Sequence, residues 1–571
     1  MIKRRASIIL CIILFISTLI LYILTFFDES LRRVCFSHGA YFVLVLLLVT
    51  WVFIIIQAMR HYKPDWRSMA SRYAVGIVLS MAICVIAFTA VKPDFRILSD
   101  ETNLMAVSKS MLYEKRTDNV TMGLWYYGNF NPVVRQISKR HLLFPFMTHI
   151  LHVISGYRPG NVFVLNFIVM FLILVFLYKL IFDQYGVKWA TAGLFLVASQ
   201  PIFIQNATSG GWDLMFSLFL IICFMSLFWF MKKPDMIKFE LLWMNLILLC
   251  HARYEGIMTM FLVLFFLVAF KYVKREYLSQ GSKLVYALTP CFFIIIFWQR
   301  LLNNDTFESG GMAPFSHRYF IKNNLLFLKD LFDFKFFLPY ATIINLVGFV
   351  CLVYIAVQFI RKRMIAEPWK RKLAIISTCC LMANWVLYTS FHNGNINHPT
   401  CARYYAAFFM ILSIFAVIGC ERLPIIKNKV NSFISLSMIM LLVYLPVSVE
   451  DRFSRAQTLP RRYRFARKFI LNSLTDTKNV VFITDRPGHY TVYNYGAVNF
   501  KHANESDAFV SGWKKHLYGD IYVIQRIMYD TSSPHKNDIL AEKFVLRKLI
   551  ESQIRGDSFI RISKVITIKD T

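Results

Sequence analysis

The amino-acid sequence predicts an all-α polytopic membrane protein with a small α/β domain at its C-terminal end. Hydrophobic residues make up 57% of the 571 residues, and aromatic residues make up 16%. A single soluble core cannot hide so much apolar surface. The apolar residues also fall in long uninterrupted runs, and a helix needs about 20 such residues to cross the hydrocarbon layer of a membrane. These two observations predict a chain that crosses a bilayer many times.

The apolar runs predict about thirteen transmembrane helices. The first run is too long for a cleaved signal peptide and lacks a small-residue cleavage site, so it is interpreted as a signal anchor. The seventh run is short, and with the eighth it would form a re-entrant or broken pair around Arg253 and Glu255. The runs lie near residues 7–27, 40–59, 73–91, 160–182, 188–206, 212–231, 239–251, 255–272, 284–299, 340–360, 373–390, 403–420 and 432–449.

The formal net charge of +31 would by itself suit a nucleic-acid partner. Membrane topology explains much of this charge instead. The clusters Arg361-Lys362-Arg363 and Lys370-Arg371-Lys372 fall in a presumed cytoplasmic loop, whereas the short outer loops 207–211 and 391–402 hold no lysine or arginine. This asymmetry follows the positive-inside rule, so membrane lipids are expected as partners and nucleic acid is not.

The cysteines bear on the compartment in which the protein lies. Most of the 11 cysteines fall inside the predicted spans, and residues 451–571 contain none. A disulfide-stapled outer domain is therefore excluded. This pattern favours a bacterial inner membrane.

Three polar regions are predicted on the outer side. The first, 92–159, would contain amphipathic helices at 101–114 and 138–155, lying at the membrane interface. The second is 300–339, which is rich in aromatic residues. The third is the basic tail 450–571. Its apolar patterns predict strands at 480–484, 520–524 and 559–568 and a helix at 538–553.

Carboxylates at the outer ends of predicted spans are candidates for acid–base chemistry. Asp100 and Glu101 follow the third span, and Asp213 opens the sixth. Asp100 could deprotonate a hydroxyl that arrives from the aqueous side, and Glu101 could orient it or tune its pKa. The structural alternative is that these acids cap helices and complement helix dipoles.

Four arginines stand at the same outer level, where the short loops are otherwise poor in basic residues. An arginine binds phosphate through a planar fork of donors, and a lipid phosphate would lie at this depth. The alternative is that each arginine snorkels or pairs with a nearby acid, as Arg253 could with Glu255. The four candidates are Arg140, Arg253, Arg318 and Arg403.

Two histidine pairs, His149 with His152 and His392 with His398, could each contribute to a metal site. No carboxylate or cysteine completes either pair at a recognisable spacing, so no metal-ligand residues are assigned. The sequence also has no phosphate-binding glycine loop, dinucleotide fingerprint or nucleophile elbow. Nucleotide hydrolysis is therefore not indicated.

Taken together, these motifs resemble the GT-C glycosyltransferases, particularly those near the protein O-mannosyltransferases and the bacterial aminoarabinose transferase of lipid A. The shared features, in order, are the acidic pair Asp100-Glu101, Lys139-Arg140 in a long outer loop, Asp213, the turn Arg253-Tyr254-Glu255-Gly256, and Arg403-Tyr404. The chain departs from the family pattern in having two additional spans ahead of the acidic loop. It also lacks the expected proline–tyrosine arrangement directly after the lysine–arginine pair.

The resemblance implies a polyprenyl-phosphate sugar as donor, a glycan, lipid or protein acceptor, and an active site facing away from the cytoplasm. Asp100 would be the base, and transfer at the anomeric carbon would displace the lipid phosphate with inversion. Glu101 and Asp213 would position a substrate. Arg140, Arg253 and Arg403 would hold the phosphate, with Arg318 a weaker assignment. No cofactor is assigned, and dependence on a divalent metal remains open.

The same resemblance divides the chain into three domains. Residues 1–72 would form the two additional N-terminal helices. Residues 73–449 would form the catalytic membrane domain, including the outer loops 92–159 and 300–339. Residues 450–571 would form the soluble α/β domain on the outer side.

Other functions remain open at this stage. One alternative is a ligase or polymerase of preassembled glycans, and another is a transporter or flippase of lipid-linked saccharide. A third is a scaffold that uses the basic tail and needs no catalytic Asp100. Transporters commonly place charges near the membrane midplane and show repeated halves. Here the charges gather at one predicted surface and no halves repeat, which favours an enzyme.

Overall fold

The structure is a computed structural model, and it places most of the chain in two compact units. Unit 1 comprises residues 1–94, 141–144 and 163–452, and unit 2 comprises residues 95–140, 145–162 and 453–571. The described residues are 2–97, 100–274, 283–303, 313–334, 340–361, 367–449, 458–473, 478–552 and 558–569.

Unit 1 is helical, as the long apolar runs predict. Among the residues that the structure describes, nine helices are long and apolar enough to cross a membrane, or ten if one bent pair counts as a span. The chain is an integral membrane protein, and the count of about thirteen spans stays a prediction. Its helices are α1 Ile2–Phe27, α2 Glu29–Val34, α3 Ala40–Tyr62, α4 Trp66–Ala90, α7 Asn161–Tyr185, α8 Val187–Ala198, α9 Pro201–Ala207, α10 Asp213–Lys232, α11 Met236–Ala252, α12 Glu255–Ala269, α13 Lys283–Leu302, α14 His317–Asp330, α15 Thr342–Ile360, α16 Pro368–Ser390, α17 Pro399–Ala402, α18 Ala406–Arg422, α19 Pro424–Lys427 and α20 Val430–Val449.

The predicted span 188–206 is broken in the structure. Helices α8 and α9 meet at an angle of 74°. Pro201 lacks an amide hydrogen and cannot continue α8, but it suits the first turn of a new helix. The buried Gln200 holds the break in place, because its amide nitrogen donates to Asn345 Oδ1 at 2.9 Å and its oxygen accepts from the amide of Ala341 at 3.0 Å.

The predicted interruption near Arg253 is also present. Helix α11 ends at Ala252, Arg253 adopts an extended conformation (φ −159°, ψ 157°), and α12 begins at Glu255. The two residues between the helices therefore carry an arginine side chain out of the helical register. This interruption positions the candidate site described below.

Unit 2 is built on one seven-stranded sheet. Its spatial order is β2-β1-β4-β3-β5-β7-β6. The pairs β3–β4 and β3–β5 are parallel, and the other pairs are antiparallel. The elements are α5 Asp100–Glu114, β1 Asp118–Tyr126, β2 Asn129–Ile137, α6 Leu143–Ser155, α21 Thr458–Ser473, β3 Val480–Thr484, α22 Gly488–Thr491, β4 Gly496–Val498, α23 Phe500–Glu505, α24 Asp507–Lys514, β5 Asp520–Met528, β6 Phe544–Glu551 and β7 Ser558–Ile568.

Strands β1 and β2 are a hairpin that the sequence analysis missed. Tyr126 pairs with Asn129, so Tyr127 and Gly128 alone form the turn. Both turn residues have positive φ, 50° and 79°, as the tightest hairpin turns require. The hairpin joins the C-terminal sheet because Gly123 of β1 pairs with Ala497 of β4. Part of the loop 92–159 thus belongs to the same sheet as the tail.

The tail contains one element of the wrong predicted type. Strands were predicted at 480–484, 520–524 and 559–568, and all three are present as β3, β5 and β7. The helix predicted at 538–553 is wrong, because residues 544–551 form β6, paired antiparallel with β7. Sheet pairing overrides the local helical pattern there. The helix at 101–114 is confirmed as α5, whereas the helix predicted at 138–155 begins only at Leu143.

Strand β3 lies at the centre of unit 2 and is buried on both faces. Val481 and Ile483 pack into one hydrophobic cluster, with Phe509 of α24. Val480 and Phe482 pack into a second cluster on the opposite face. Such two-sided burial is typical of parallel strands covered by helices, and it explains the continuous apolar run in the sequence.

Two helices of unit 1 approach each other closely at glycine. A side chain on Gly348 of α15 would overlap the backbone of Leu412 in α18, and one on Gly419 of α18 would overlap Cys351 of α15. Small residues at such positions let helix backbones pack tightly within a membrane.

Replacing Gly348 by alanine is expected to force α15 and α18 apart and to destabilise the protein by about 1–3 kcal/mol. The measurement is the thermal unfolding midpoint of the detergent-solubilised protein. Gly160→Ala is the matched control, because a side chain there would meet nothing within 4 Å. Equal midpoints for the two variants would contradict the close approach.

Candidate functional site

Three of the predicted site residues of unit 1, Asp213, Arg253 and Arg403, form the buried arginine cluster together with Glu255. Asp213 is the first residue of α10, Arg253 occupies the interruption between α11 and α12, and Glu255 opens α12. Arg403 begins a short 3₁₀ turn ahead of α18. Each side chain is 10% exposed or less. Residues far apart in the sequence therefore meet at one buried point.

Arg253 is the centre of this cluster. Its Nη2 donates to Glu255 Oε1 at 2.8 Å, and its Nε donates to Glu255 Oε2 at 3.2 Å. Its Nη1 donates to Asp213 Oδ1. The planar fork of the guanidinium thus engages two carboxylates at once, which is an arrangement that lysine could not reproduce.

The second oxygen of Asp213 is less well satisfied. Arg403 Nη1 lies 3.7 Å from Asp213 Oδ2, which is beyond ordinary hydrogen-bond length. Among the residues that the structure describes, this buried oxygen accepts no hydrogen bond. A buried acceptor of this kind is free to receive a hydroxyl or water donor.

Aromatic rings surround the two arginines. The Arg253 guanidinium lies 4.9 Å from the ring centre of Tyr404, and that of Arg403 lies 5.2 Å from the same ring. Arg403 also lies 5.2 Å from the ring centre of Trp212. Tyr404 belongs to the arginine–tyrosine pair noted in the sequence, whereas Trp212 was not assigned a role. The rings exclude water and favour cations over their faces.

Asp100, Glu101 and Arg140 lie together in unit 2 and form the acidic-loop cluster. Asp100 opens α5, and its Oδ1 accepts from Arg140 Nη2 at 2.7 Å and from Nε at 3.2 Å. Asp100 is 14% exposed and Arg140 is 39% exposed. The structure thus brings together a carboxylate and an arginine separated by 40 residues.

The two adjacent carboxylates of this cluster have different surroundings. Glu101 is fully buried, and its Oε2 accepts from the backbone amide of Arg96 at 2.9 Å. Its carboxylate ties the segment ahead of α5 to the first turn of that helix. Asp100 remains the carboxylate that reaches solvent.

Arg318 does not join either cluster. It is an exposed residue in the first turn of α14, and its backbone amide donates to Ser316 Oγ at 3.2 Å. Within the described ranges, it makes no ion pair with the clustered acids. The role assigned to Arg318 therefore stays a prediction without geometric support. The roles assigned to the other six residues also stay predictions, because the grouping of these residues does not test what they do.

The histidine pairs have partners other than metal ligands. His152 contacts Asn161 Nδ2 at 2.8 Å through Nδ1 and Ser108 Oγ at 3.3 Å through Nε2. His398 Nδ1 lies 2.5 Å from Thr400 Oγ1. In the part of the chain that the structure describes, no three histidine, cysteine or acidic side chains are close enough to hold a metal ion.

The ion pairs of the two clusters should differ sharply in their contribution to stability. Arg253→Ala would leave the buried Glu255 without its ion pair and Asp213 with only the 3.7 Å contact to Arg403, so we expect a loss of about 3–5 kcal/mol in the free energy of unfolding. Arg140→Ala breaks a partly exposed pair and should cost about 1 kcal/mol or less. Unfolding of both variants by SDS in mixed micelles measures the difference, and comparable losses would contradict the assigned burial.

Unit 2 should lose stability in mild acid. Burial lowers the pKa of His149 to about 4, with Lys115 contributing, and burial together with His149 lowers the pKa of His152 to about 4. The unfolded chain takes up these protons near its ordinary pKa of about 6.5, whereas the folded chain does so only near 4, so stability falls as the pH drops through this window. The thermal midpoint should therefore fall between pH 6.5 and 4.

The matched variants for this pH dependence are His152→Asn and His516→Asn. His516 is an exposed histidine of unit 2. The fall of the midpoint should be smaller in His152→Asn than in the wild type, and unchanged in His516→Asn. A fall of the same size in all three proteins would show that burial of His152 does not cause it.

Comparisons with known proteins agree with the helical architecture. No protein-family model and no curated protein sequence matches the chain. Crystal structures of ArnT from Cupriavidus metallidurans, bound to undecaprenyl phosphate and in the apo state, each match with a TM-score of 0.53. Their identities are 11% and 13%, and the matches cover 86% and 87% of this chain and 98% of each ArnT chain.

A third solved structure is the apo form of the Archaeoglobus fulgidus oligosaccharyltransferase. It matches with a TM-score of 0.46 and 13% identity, over 81% of this chain and 70% of that chain. The two ArnT matches span nearly the whole of both proteins. The chain therefore has the ArnT fold, which confirms the GT-C-like architecture predicted from the sequence.

Proposed function

We propose that this chain is a membrane glycosyltransferase that moves a hexose or pentose from an undecaprenyl- or dolichyl-phosphate carrier to an acceptor outside the cytoplasm. The observation that carries the proposal is the fold shared with ArnT, because one ArnT structure is bound to undecaprenyl phosphate. The acceptor would be a glycan, a lipid or a protein. The enzyme would lie in a bacterial inner membrane with its active site facing the periplasm.

Asp100 is the proposed catalytic base. It opens α5, reaches solvent, and accepts a hydrogen bond from Arg140 Nη2 at 2.7 Å, which orients the carboxylate. The carboxylate would take the proton of the acceptor hydroxyl while the hydroxyl oxygen attacks the anomeric carbon of the donor sugar. The bond from that carbon to the phosphate oxygen breaks, and polyprenyl phosphate leaves with the electron pair. The anomeric configuration inverts.

The remaining residues are assigned to binding. Arg253 and Arg403 would hold the lipid phosphate, and Asp213 would position a substrate hydroxyl through Oδ2. Because Arg253 already donates to two carboxylates, a phosphate would have to replace part of these contacts.

The other assignments have different support. The Glu101 side chain accepts a hydrogen bond from the backbone of Arg96, so its proposed role is to position Asp100. Arg140 would bind the lipid phosphate while it keeps its hydrogen bond to Asp100. A divalent metal would need phosphate oxygens of the donor as ligands, because the described residues provide no cluster of three ligands.

Asp100→Asn is expected to lower the rate of sugar transfer at least 100-fold, since general base catalysis contributes about 10²–10⁴-fold. Membranes holding equal amounts of each variant would be incubated with a pool of polyprenyl-phosphate sugars and cellular acceptors, with and without EDTA. Mass spectrometry would measure transfer. Asp507→Asn is the matched control, because Asp507 is an exposed aspartate that also opens a helix, α24.

Each outcome decides a different part of the proposal. If Asp100→Asn transferred sugar at the wild-type rate, Asp100 would be only a helix cap, and the base would have to be Glu101 or Asp213. Absence of transfer by the wild type from every donor would favour a transporter or a scaffold. Loss of transfer in EDTA would establish dependence on a divalent metal.

A further inference from the structure

Unit 2 contains a cavity of about 390 Å³ that none of the assigned roles uses. It lies between α5, the β1–β2 hairpin and the residue ahead of β3. Two cations and three aromatic side chains dominate its lining. These residues are Lys109, Lys478, Tyr113, Trp125 and Phe130.

Lys109 is a buried lysine that contacts a backbone oxygen and aromatic rings within the described part of unit 2. Its side chain is on α5, and the residue is 8% exposed. Its Nζ donates to the backbone oxygen of Thr491 at 2.9 Å and lies 4.3 Å from the ring centre of Phe130. An ammonium has three hydrogens to donate. Among the described residues, no carboxylate lies within ion-pair distance of it.

This arrangement contrasts with that of Arg526, another largely buried cation of unit 2. Arg526 is 13% exposed, and its Nη2 lies 2.9 Å from Asp538 Oδ1 and 3.3 Å from Asp485 Oδ2. That cation is neutralised by two carboxylates of the fold. Burial of a charge is costly unless it is paired, so an anion from outside the chain would stabilise the ammonium form of Lys109.

Burial also lowers the pKa of Lys109, to about 7. The ammonium form is therefore destabilised by the fold, and an anion entering the cavity would stabilise it. Two other charged groups line the cavity. Glu114 is paired with Arg135 at 2.7 Å, and Lys478 Nζ lies 5.1 Å from the ring centre of Trp125. The carboxylate of Glu114 is thus paired with Arg135, which does not line the cavity.

The aromatic lining points to a ligand with an apolar face. The rings of Trp125 and Phe130 lie 5.4 Å apart at an angle of 62°, and each lines the cavity. Aromatic faces offer large apolar contact area, and the C–H face of a pyranose ring packs on them. Asn129 and Ser110 also line the cavity and can bond hydroxyl groups. A phosphate ion alone would leave the rings unused.

We propose that this cavity binds an anionic saccharide, a sugar carrying a phosphate or carboxylate group. The anionic group would lie against Lys109 and Lys478, and the sugar ring would pack on Trp125 and Phe130. The site lies wholly within unit 2, and its occupation requires no sugar transfer. It therefore holds whether or not the chain is a glycosyltransferase.

Direct binding to the full-length protein in detergent micelles tests the proposal. Saturation-transfer NMR would compare glucose 6-phosphate, glucuronate, glucose and inorganic phosphate. The phosphorylated and the carboxylated sugar distinguish the two sources of negative charge. At least one of them should bind at least tenfold more tightly than glucose and than phosphate, because only these ligands engage both the cations and the rings.

Variants assign the binding to this cavity. Lys109→Gln should weaken binding of the anionic sugar at least tenfold while affinity for glucose stays the same. Lys536→Gln is the matched control, because Lys536 is a lysine of unit 2 that does not line the cavity. Lys478→Gln gives an independent test if Lys109→Gln does not fold.

Three results would overturn the proposal. Equal affinity for glucose and for both charged sugars would remove the anionic group from recognition, and equal affinity for phosphate would remove the sugar. A lower melting temperature of Lys109→Gln with unchanged affinity for the anionic sugar would make Lys109 only a tether between α5 and the backbone of Thr491. Since the assay measures binding, none of these results depends on transfer activity.

Discussion

The packing of unit 1 depends on the neutralisation of the buried charge of Arg253. Arg253 donates two hydrogen bonds to Glu255, through Nε and Nη2, and a third to Asp213 through Nη1. Arg403 Nη1 lies 3.7 Å from the other oxygen of Asp213. A buried charge in such surroundings is tolerated only when it is paired, so these contacts fix the start of α10, the interruption between α11 and α12, and the turn ahead of α18 relative to one another. The interruption is needed because, in a continuous helix, the side chains of Arg253 and Glu255 would point in different directions and could not pair.

The same constraint separates structural from chemical roles. Glu101 is fully buried and accepts from the backbone ahead of its helix, whereas its neighbour Asp100 reaches solvent beside Arg140. Two carboxylates adjacent in sequence thus have different surroundings: one is fully buried and the other reaches solvent. In unit 2, Arg526 has two carboxylates, whereas Lys109 has a carbonyl oxygen and aromatic rings. Arg526 is thus part of a structural ion-pair network, whereas Lys109 lines the cavity proposed to bind an external anion.

The sheet of unit 2 shows how distant segments complete one core. Strand β3 is buried on both faces, and the edge on the β4 side is extended by the hairpin from residues 118–137. Without β1, the three-residue strand β4 would be an exposed edge. The long loop and the tail are therefore one structural unit, and the cavity beside Lys109 exists only because the hairpin folds against α5.

The sequence by itself determined the membrane class, the break near Arg253, helix α5 and three strands of the tail, because apolar runs and alternation report burial directly. It also selected Asp213, Arg253 and Arg403 before their contacts were visible, since charged residues at the ends of apolar runs are conspicuous. Tertiary structure alone decided that residues 544–551 form a strand rather than a helix, that residues 118–137 form a hairpin, and that Lys109 lies beside a cavity. The physical reason is that each outcome depends on contacts outside the segment concerned. Strand β6 pairs with β7, and Lys109 donates to Thr491, 382 residues further along the chain, so the pattern of the segment alone does not encode these partners.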